Sequence, residues 1–310
     1  RLLGEDEGEQ PLIGTVAADL ATIAPKPGID VVTGLVQALA KKAGPFPVDS
    51  PHALTDASSP RFVDRFLSQL EIKYRPIWSP KKGMVVSYHS YPHRNTPYGA
   101  LHGTAVLHGG PADPLAIELD AFLAARTIEA AIDQSRHETP ASVVLPVHFT
   151  SLMGTRKEKL IEVLNRTPGR LANGYLTIEI VGVPEFVPVV RIQEAVQFAL
   201  QFSKIVAVQL PTGNRQAALF RQAGAAFWSF DLGNQYDSQS EIAISKELRI
   251  MAAESSAAGL KPYILNVETR AAFQASLTAG FVLIGGRIIG PDMAKPGGVY
   301  KANERTILGL

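Results

Sequence analysis

Three side chains that can bind a metal ion or move a proton stand near the ends of short apolar runs. His148 directly follows one run, Glu179 lies near the end of the next, and Asp231 directly follows a later one. If these runs are parallel strands, their carboxyl ends meet at one face, where the three side chains can share a cavity mouth. Three ligands are the minimum for a zinc site. We favour a structural network instead, in which Arg75 is the cation that pairs with Glu179.

Four more histidines lie close together in a segment rich in Pro and Gly that ends near residue 110. They are His89, His93, His102 and His108. Their spacing fits no metal-binding template, and the chain has no cysteine that could complete one. The pattern therefore predicts a solvated loop and no bound metal.

Composition narrows the class of protein. The absence of cysteine rules out disulfides and thiolate zinc sites. The net charge of +1, from 30 basic and 29 acidic residues, gives no nucleic-acid footprint and little repulsion against self-association. No apolar run approaches the ~20 residues that span a membrane. We expect a cytoplasmic protein, or, because the chain begins at Arg1 without a signal peptide, the cytoplasmic part of a larger one.

The elements that must hold these side chains begin at about residue 60. An amphipathic helix is predicted over 61–70, and two β-rich runs, 72–78 and 84–91, form a hairpin around Gly83. A long helix follows over 114–134. Six further strands are predicted at 142–147, 175–181, 205–210, 226–230, 262–265 and 281–284. Helices are predicted between them at 157–165, 190–202, 215–222, 241–258 and 270–279.

This alternation predicts an α/β fold with a mostly parallel sheet. Two strands from the hairpin and six later ones make eight, which suits a closed TIM-like (β/α)8 barrel with one antiparallel strand. The alternative is an open, doubly wound sheet. No Gly-rich turn after a strand supports a dinucleotide site in such a sheet.

The segment 1–58 differs from the barrel domain that we assign to 59–310. It holds two short apolar helical patterns, at 15–24 and 30–43, that prolines interrupt. Helices of this length are marginal alone. We therefore predict an N-terminal arm that docks on the barrel or on a second copy of the chain, with a disordered linker as the alternative.

Six phrases, in order over about 60–307, resemble the EAL family of cyclic-di-GMP phosphodiesterases. Tyr74-Arg75-Pro76-Ile77 resembles the family's YQPI, and Val147-His148-Phe149-Thr150 resembles its VNLS. Thr177-Ile178-Glu179-Ile180 resembles LEITE, and Phe230-Asp231 resembles KID. The last two phrases, Asn266-Val267-Glu268-Thr269 and Ile284-Gly285-Gly286, resemble the end of AEGVET and the start of QGYLFSRP. The resemblance implies the EAL barrel.

In this family two divalent cations, held by oxygen ligands at the strand ends, hydrolyse the phosphodiester. The positions that match the family's site are Tyr88, His148, Glu179, Gln209, Leu210, Ser229, Asp231, Leu265, Glu268 and Ile284. Glu179, Asp231 and Glu268 keep the family's carboxylates. The other seven replace a metal-binding, basic or polar residue, with Tyr88 in place of the Glu of the Glu-Ala-Leu motif. Pro92 replaces the arginine that contacts phosphate, and Arg75 replaces the glutamine that contacts guanine.

The resemblance therefore implies a domain that has lost its catalytic residues, its metals and its cofactors. We predict a non-enzymatic protein-interaction or sensory-output module in bacterial signalling, with an unknown protein partner. A homodimer is compatible with the apolar side chains of the helix at 241–258, the side through which family members dimerise. The alternatives are a receptor that binds cyclic-di-GMP without cleaving it, which we favour less, and, last, an active phosphodiesterase.

Overall fold

The structure is a computed structural model that describes residues 59–110, 113–172, 174–233 and 240–309, without the side chain of Arg170. Residues 57–310 form one compact unit. The predicted arm at 1–58 lies outside the described residues. Its helices, its docking and the boundary at residue 58 therefore stay predictions.

Helices and strands alternate along most of the described chain. The helices are α1 (Pro60–Leu67), α2 (Ala116–Gln134), α3 (Lys157–Leu164), α4 (Gly169–Ala172), α5 (Val189–Phe202), α6 (Ala217–Ala223), α7 (Glu241–Ala257), α8 (Arg270–Ala279) and α9 (Glu304–Leu308). The strands are β1 (Glu71–Ser79), β2 (Met84–Thr96), β3 (Gly99–His102), β4 (Ser142–His148), β5 (Leu176–Val181), β6 (Ile205–Gln209), β7 (Phe227–Asp231), β8 (Lys261–Leu265), β9 (Leu283–Gly285) and β10 (Tyr300–Lys301). Most bounds lie within two residues of the predicted ones.

Eight strands close into a barrel, which excludes the open-sheet alternative. The order around the barrel is β1, β2, β4, β5, β6, β7, β8 and β9, and β9 returns to β1. β1 runs antiparallel to both neighbours, while the pairs from β2 to β9 are parallel. The strands β3 and β10 pair with β2 outside this ring. The predicted TIM-like barrel with one antiparallel strand is confirmed.

The hairpin that opens the barrel explains the antiparallel strand. The turn after Ser79 closes with a hydrogen bond from the N–H of Gly83 to the carbonyl of Ser79, at 2.9 Å. Gly83 has φ +59°, in the left-handed region that glycine adopts without steric cost. A two-strand hairpin reverses direction by construction, so β1 must oppose β2.

The two faces of the strands pack against different cores. Inward side chains form a small cluster inside the barrel, which includes Ile77, Val144, Tyr263 and Leu265. Outward side chains join the helices in a larger cluster that includes Trp228, Phe220 and Phe273. Because side chains alternate along a strand, one residue of register decides which core a side chain joins.

The helices end where glycine permits a left-handed residue. Gly224 ends α6 and Gly280 ends α8, each with positive φ, and Thr269 caps the start of α8 by accepting from the N–H of Ala272. None of the helices in the described part of the chain is long and apolar enough to cross a bilayer.

Candidate functional site

A cavity of about 150 Å³ opens at the carboxyl ends of the barrel strands. We call it the mouth cavity. It is lined by Arg75, His89, Tyr91, Pro92, His102, Gly103, Thr104, Leu119, Asp120, Leu123, Pro146, His148, Glu179, Val181, Gln209, Asp231, Leu265 and Asn266. Active sites of α/β barrels gather at this end, because the strands direct their last side chains there.

A buried histidine–carboxylate pair lies on one side of the mouth cavity. Nε2 of His89 on β2 stands 2.7 Å from Oε2 of Glu179 on β5, whose side chain is 1% exposed. An ionised carboxylate only accepts hydrogen bonds, so Nε2 is the donor. The other oxygen of Glu179, Oε1, is buried without a hydrogen-bond partner. The predicted pairing of Glu179 with Arg75 is therefore wrong, because a closer cation-forming group, His89, takes that place.

A second pair lies on the neighbouring strand. His148, the last residue of β4, approaches Asp120 of α2 with Nδ1 at 2.7 Å from Oδ1. The backbone N–H of His148 also donates to Oδ2 of Asp120, at 2.9 Å. Asp120 thus fixes the orientation of the imidazole, and it accepts from Nδ1. Nε2 of His148 is buried and has no partner.

The cation of the mouth cavity, Arg75, is committed to other protein groups. Its guanidinium donates to both carboxylate oxygens of Asp292, from Nε at 2.7 Å and from Nη2 at 2.8 Å. It also donates to the side-chain oxygen of Asn266 and to the hydroxyl of Tyr91. Burial alone would raise the pKa of Asp292, but the hydrogen bonds from Arg75 and Tyr91, together with the positive charges of Arg75 and Arg287, outweigh it, and the pKa lies below its ordinary value. This bidentate pair leaves Arg75 few donors for a ligand.

Asn266 connects this network to the next strand. Its amide nitrogen donates to Oδ1 of Asp231, which also accepts from the N–H of Gly233. Asn266 has φ +59°, a left-handed conformation that asparagine tolerates better than most residues. The Arg75 network therefore extends across the cavity mouth to Asp231 through one strained linker residue.

The formal charge of the lining is negative. Arg75 contributes one positive charge, and three carboxylates contribute one negative charge each: Asp120, Glu179 and Asp231. With neutral histidines the sum is −2. Below the cavity, burial and then the negative charge of Glu179 raise the pKa of Tyr263, whose hydroxyl has no partner. The site is thus rich in acceptors and has little free positive charge.

The side chains do not fit the metals that the resemblance implies. Within the described ranges, no group of three or more His, Asp or Glu side chains is arranged to hold a metal ion. Glu179 and His148 each spend one polar atom on a protein partner, and Asp231 is tied to Asn266. The described residues therefore leave no set of free oxygen and nitrogen ligands that converges on one point.

No protein-family model and no curated protein matches this sequence. Solved structures do match. The EAL domain of Xanthomonas citri FimX in complex with c-di-GMP is 14% identical, with 78% of this chain and 100% of that chain covered and a TM-score of 0.56. The PaMucR phosphodiesterase in complex with c-di-GMP is 15% identical, with 78% and 96% covered and a TM-score of 0.57. An EAL domain protein from Listeria monocytogenes EGD-e is 13% identical, with 80% and 95% covered and a TM-score of 0.55.

The chain has the fold of an EAL domain. At these identities the likeness establishes the fold and leaves the activity open. In this EAL fold, five of the ten residues predicted from the sequence line the mouth cavity: His148, Glu179, Gln209, Asp231 and Leu265.

The structure corrects the position of Tyr88. Its side chain is 1% exposed in the outer core, and its hydroxyl donates to the carbonyl of Gly298 at 3.2 Å. The neighbouring outward residue, Ser90, accepts a hydrogen bond from Thr127 of α2. His89 takes the inward position on β2. The alignment of β2 with the Glu-Ala-Leu strand was thus one residue too early, and a shift of one residue moves a side chain to the opposite face.

Four other predicted residues do not line the cavity. Leu210 and Ile284 belong to the outer core, so they share the face of Tyr88. Ser229 is fully buried, two residues before Asp231, with its hydroxyl unpartnered. Glu268 lies outside the lining, where it accepts from Nε of Arg287 at 2.7 Å. The predicted single cavity therefore holds only half of the set.

The predicted solvated loop before residue 110 is also corrected. β2 continues to Thr96 and pairs with β3, so His93 and His102 face each other across a hairpin, with their Nδ1 atoms 3.1 Å apart. His89 and His102 line the mouth cavity. His89, His93 and His102 thus belong to a regular strand pair that covers part of the site, whereas His108 lies in an exposed turn, as predicted.

Sequence reasoning missed three residues of the site: His89 as a pair partner, Asp120 and Asp292. A signal existed for Asp120, since it is a charged residue between Leu119 and Leu123 on the apolar face of a helix. Such a residue is buried only with a partner. Asp292 carries no comparable sequence signal.

Proposed function

We propose that this EAL-fold domain is catalytically inactive and acts as a protein-interaction or sensory-output module in bacterial signalling. The observation that carries the proposal is the pairing of the polar groups in the mouth cavity with one another. His89 binds Glu179, His148 binds Asp120, and the cavity's arginine binds a carboxylate outside the lining.

Hydrolysis of a phosphodiester by a metal site needs several oxygen ligands that converge on the cations. The described residues supply no such group. Two divalent cations bring four positive charges to a lining whose formal charge is −2, and two of its three carboxylates, Asp120 and Asp231, are already held by His148 and Asn266. About half of the cations' charge would stay uncompensated in a partly dry cavity, which is strongly unfavourable. The donor set thus supports an inactive domain.

The alternative function is a receptor that binds cyclic-di-GMP without cleavage. It is favoured by the likeness to the FimX EAL domain and the PaMucR phosphodiesterase, whose structures are complexes with that dinucleotide. It is opposed by electrostatics, since a cyclic dinucleotide brings two phosphate anions to a lining whose formal charge is −2. Phosphate recognition uses free arginine donors, and Arg75 spends its donors on Asp292, Asn266 and Tyr91.

Calorimetry separates these functions. Cyclic-di-GMP is titrated into the full chain with magnesium, with manganese and without a divalent cation, and the products are analysed by chromatography. The PaMucR phosphodiesterase serves as the positive control. We expect no heat of binding and no product. Heat without product would support the receptor, and product formation would contradict inactivity.

The predicted homodimer has one surface where it can be tested. Ile242 and Ile250 of α7 are 83% and 42% exposed, and they line the same surface depression, about two helical turns apart. Replacing Ile242 with Glu places a charge on this surface. If α7 joins two copies, the Ile242→Glu variant shifts the mass measured by light scattering from dimer toward monomer. The matched control is Val190→Glu, which places the same charge on an exposed apolar residue of another helix, α5.

A further inference from the structure

We propose that the mouth cavity binds a small organic cation with N–H donors, of the guanidinium class. The inference rests on the proposed sensory role of the domain and names the class of ligand that this site would sense. It is carried by two residues that line one cavity, Glu179 and His148, each of which has a buried polar atom without a partner: Oε1 of Glu179 and Nε2 of His148.

Both atoms are hydrogen-bond acceptors. Glu179 receives its one protein hydrogen bond on Oε2, which leaves Oε1 as a carboxylate acceptor. His148 donates from Nδ1 to Asp120, so in the neutral imidazole Nε2 carries a lone pair. Buried polar atoms are almost always satisfied, and here the complement must come from a molecule that donates. An anion offers no donor to either atom.

The charge of the lining selects the same class. Arg75 is neutralised by Asp292, whereas Glu179 has only the histidine pair beside it. A ligand that brings a positive charge offsets the net −2 of the lining in a region where water screens poorly. A neutral donor would satisfy the acceptors but leave that charge in place.

Size sets the upper limit. A cavity of about 150 Å³ matches one that holds a single benzene-sized molecule. This volume suits a methylated guanidinium group, and it is too small for a whole nucleotide. Ordered water is the competing occupant of a polar cavity, and it brings donors without a charge.

Two probes with equal numbers of non-hydrogen atoms isolate the role of the donors. Methylguanidinium carries a positive charge and N–H donors, whereas tetramethylammonium carries the charge without donors. Each is titrated calorimetrically into the full chain at constant ionic strength, with acetate as the anionic probe. Nitrogen-15 spectra of the histidine side chains report whether Nε2 of His148 accepts a hydrogen bond.

Glu179→Gln removes the charge and keeps an acceptor for His89. Its matched control is Glu162→Gln, which removes an exposed carboxylate that pairs with Arg166 outside the cavity lining. We expect methylguanidinium to bind with a dissociation constant below about 1 mM, which needs less affinity per atom than the best small ligands reach. Glu179→Gln should weaken binding by about tenfold or more, since a charge-assisted hydrogen bond is lost. Glu162→Gln should leave binding unchanged.

The inference is overturned if methylguanidinium does not bind, if tetramethylammonium binds equally well, or if Glu179→Gln binds as the unmodified chain does. Circular dichroism of both variants verifies that they fold. His148→Gln provides a second test, because it removes the other acceptor and should also weaken binding. Absence of binding together with absence of cyclic-di-GMP turnover overturns this inference alone, whereas turnover overturns the proposed function.

Discussion

The ion pair between Arg75 and Asp292 should make a measurable contribution to the stability of the domain. Asp292→Asn keeps the shape of the side chain and removes its charge. The side chains of Arg75 and Asp292 are 10% and 19% exposed, so the guanidinium would stay buried with only the more distant carboxylate of Glu268, 3.9 Å away, as a counter-charge. Loss of one partner from a buried ion pair costs about 3–5 kcal/mol. We expect the lower end, about 3 kcal/mol, because Asn266 and Tyr91 still accept from Arg75.

Urea unfolding measures this loss as a lower midpoint with an unchanged slope. For a domain of this size the same loss lowers the Tm by roughly 6–12 °C. The matched control is Glu162→Gln, which breaks an exposed pair with Arg166 one helical turn away, at 3.0 Å. That change should cost less than about 0.5 kcal/mol. A loss below about 1 kcal/mol in Asp292→Asn would refute the reasoning, because Arg75 would then be weakly held and available to a phosphate.

The pH dependence gives an independent check of the same pair. The pKa of Asp292 is lowered in the folded state, so its contribution to stability is complete above the ordinary carboxylate value and is lost as the pH falls through the folded value. The difference in the free energy of unfolding between the unmodified chain and Asp292→Asn should therefore shrink below about pH 4. A difference that stays constant into stronger acid would contradict an electrostatic origin.

Three other predictions concern the barrel. Tyr88→Glu should lower the free energy of unfolding by at least about 3 kcal/mol, because it buries a carboxylate in the outer core. His89→Gln keeps a hydrogen bond to Glu179 and should fold. Equal stability of the two variants in urea would contradict the assigned faces of β2. Gly286→Ala should be strongly destabilising because its Cβ would overlap the backbone of Val267. Gly169→Ala, with nothing within 4 Å of its Cβ, should be near neutral; thermal unfolding measures both. Burial and then the charge of His93 lower the pKa of His102, so the unfolded chain binds a proton at this residue more readily than the folded chain. The folded chain therefore loses stability as the pH falls below about 6.5, and His102→Gln should make that loss smaller. An identical pH profile in the two proteins would contradict this.

The regular elements could be predicted from the sequence because their periodicity is local. The helix predicted at 270–279 has those bounds in the structure, and the turn at Gly83 lies where the sequence places it. Hydrophobic spacing and glycine conformation act within a few residues of the chain. Barrel closure followed from the number of strands and their alternation with helices.

The site itself could be predicted only in part. Along Tyr88, His89, Ser90 and Tyr91, each side chain is able to be buried, so alternation does not reveal which ones face inward. The partner of His148 lies 28 residues earlier in the chain, and that of Arg75 lies 217 residues later. Such pairs depend on how the closed barrel brings its strand ends together. A motif comparison can find the strand, but not the face that the side chain takes.

The proposed catalytic inactivity is tested most directly by a cyclic-di-GMP hydrolysis assay on the full chain, with magnesium and with manganese. The product is the linear dinucleotide, separated by chromatography and compared with a blank without protein. Because the histidines and carboxylates of the mouth cavity pair with one another, we expect no product above the blank. Metal-dependent formation of the linear dinucleotide that disappears in Glu179→Gln would contradict it.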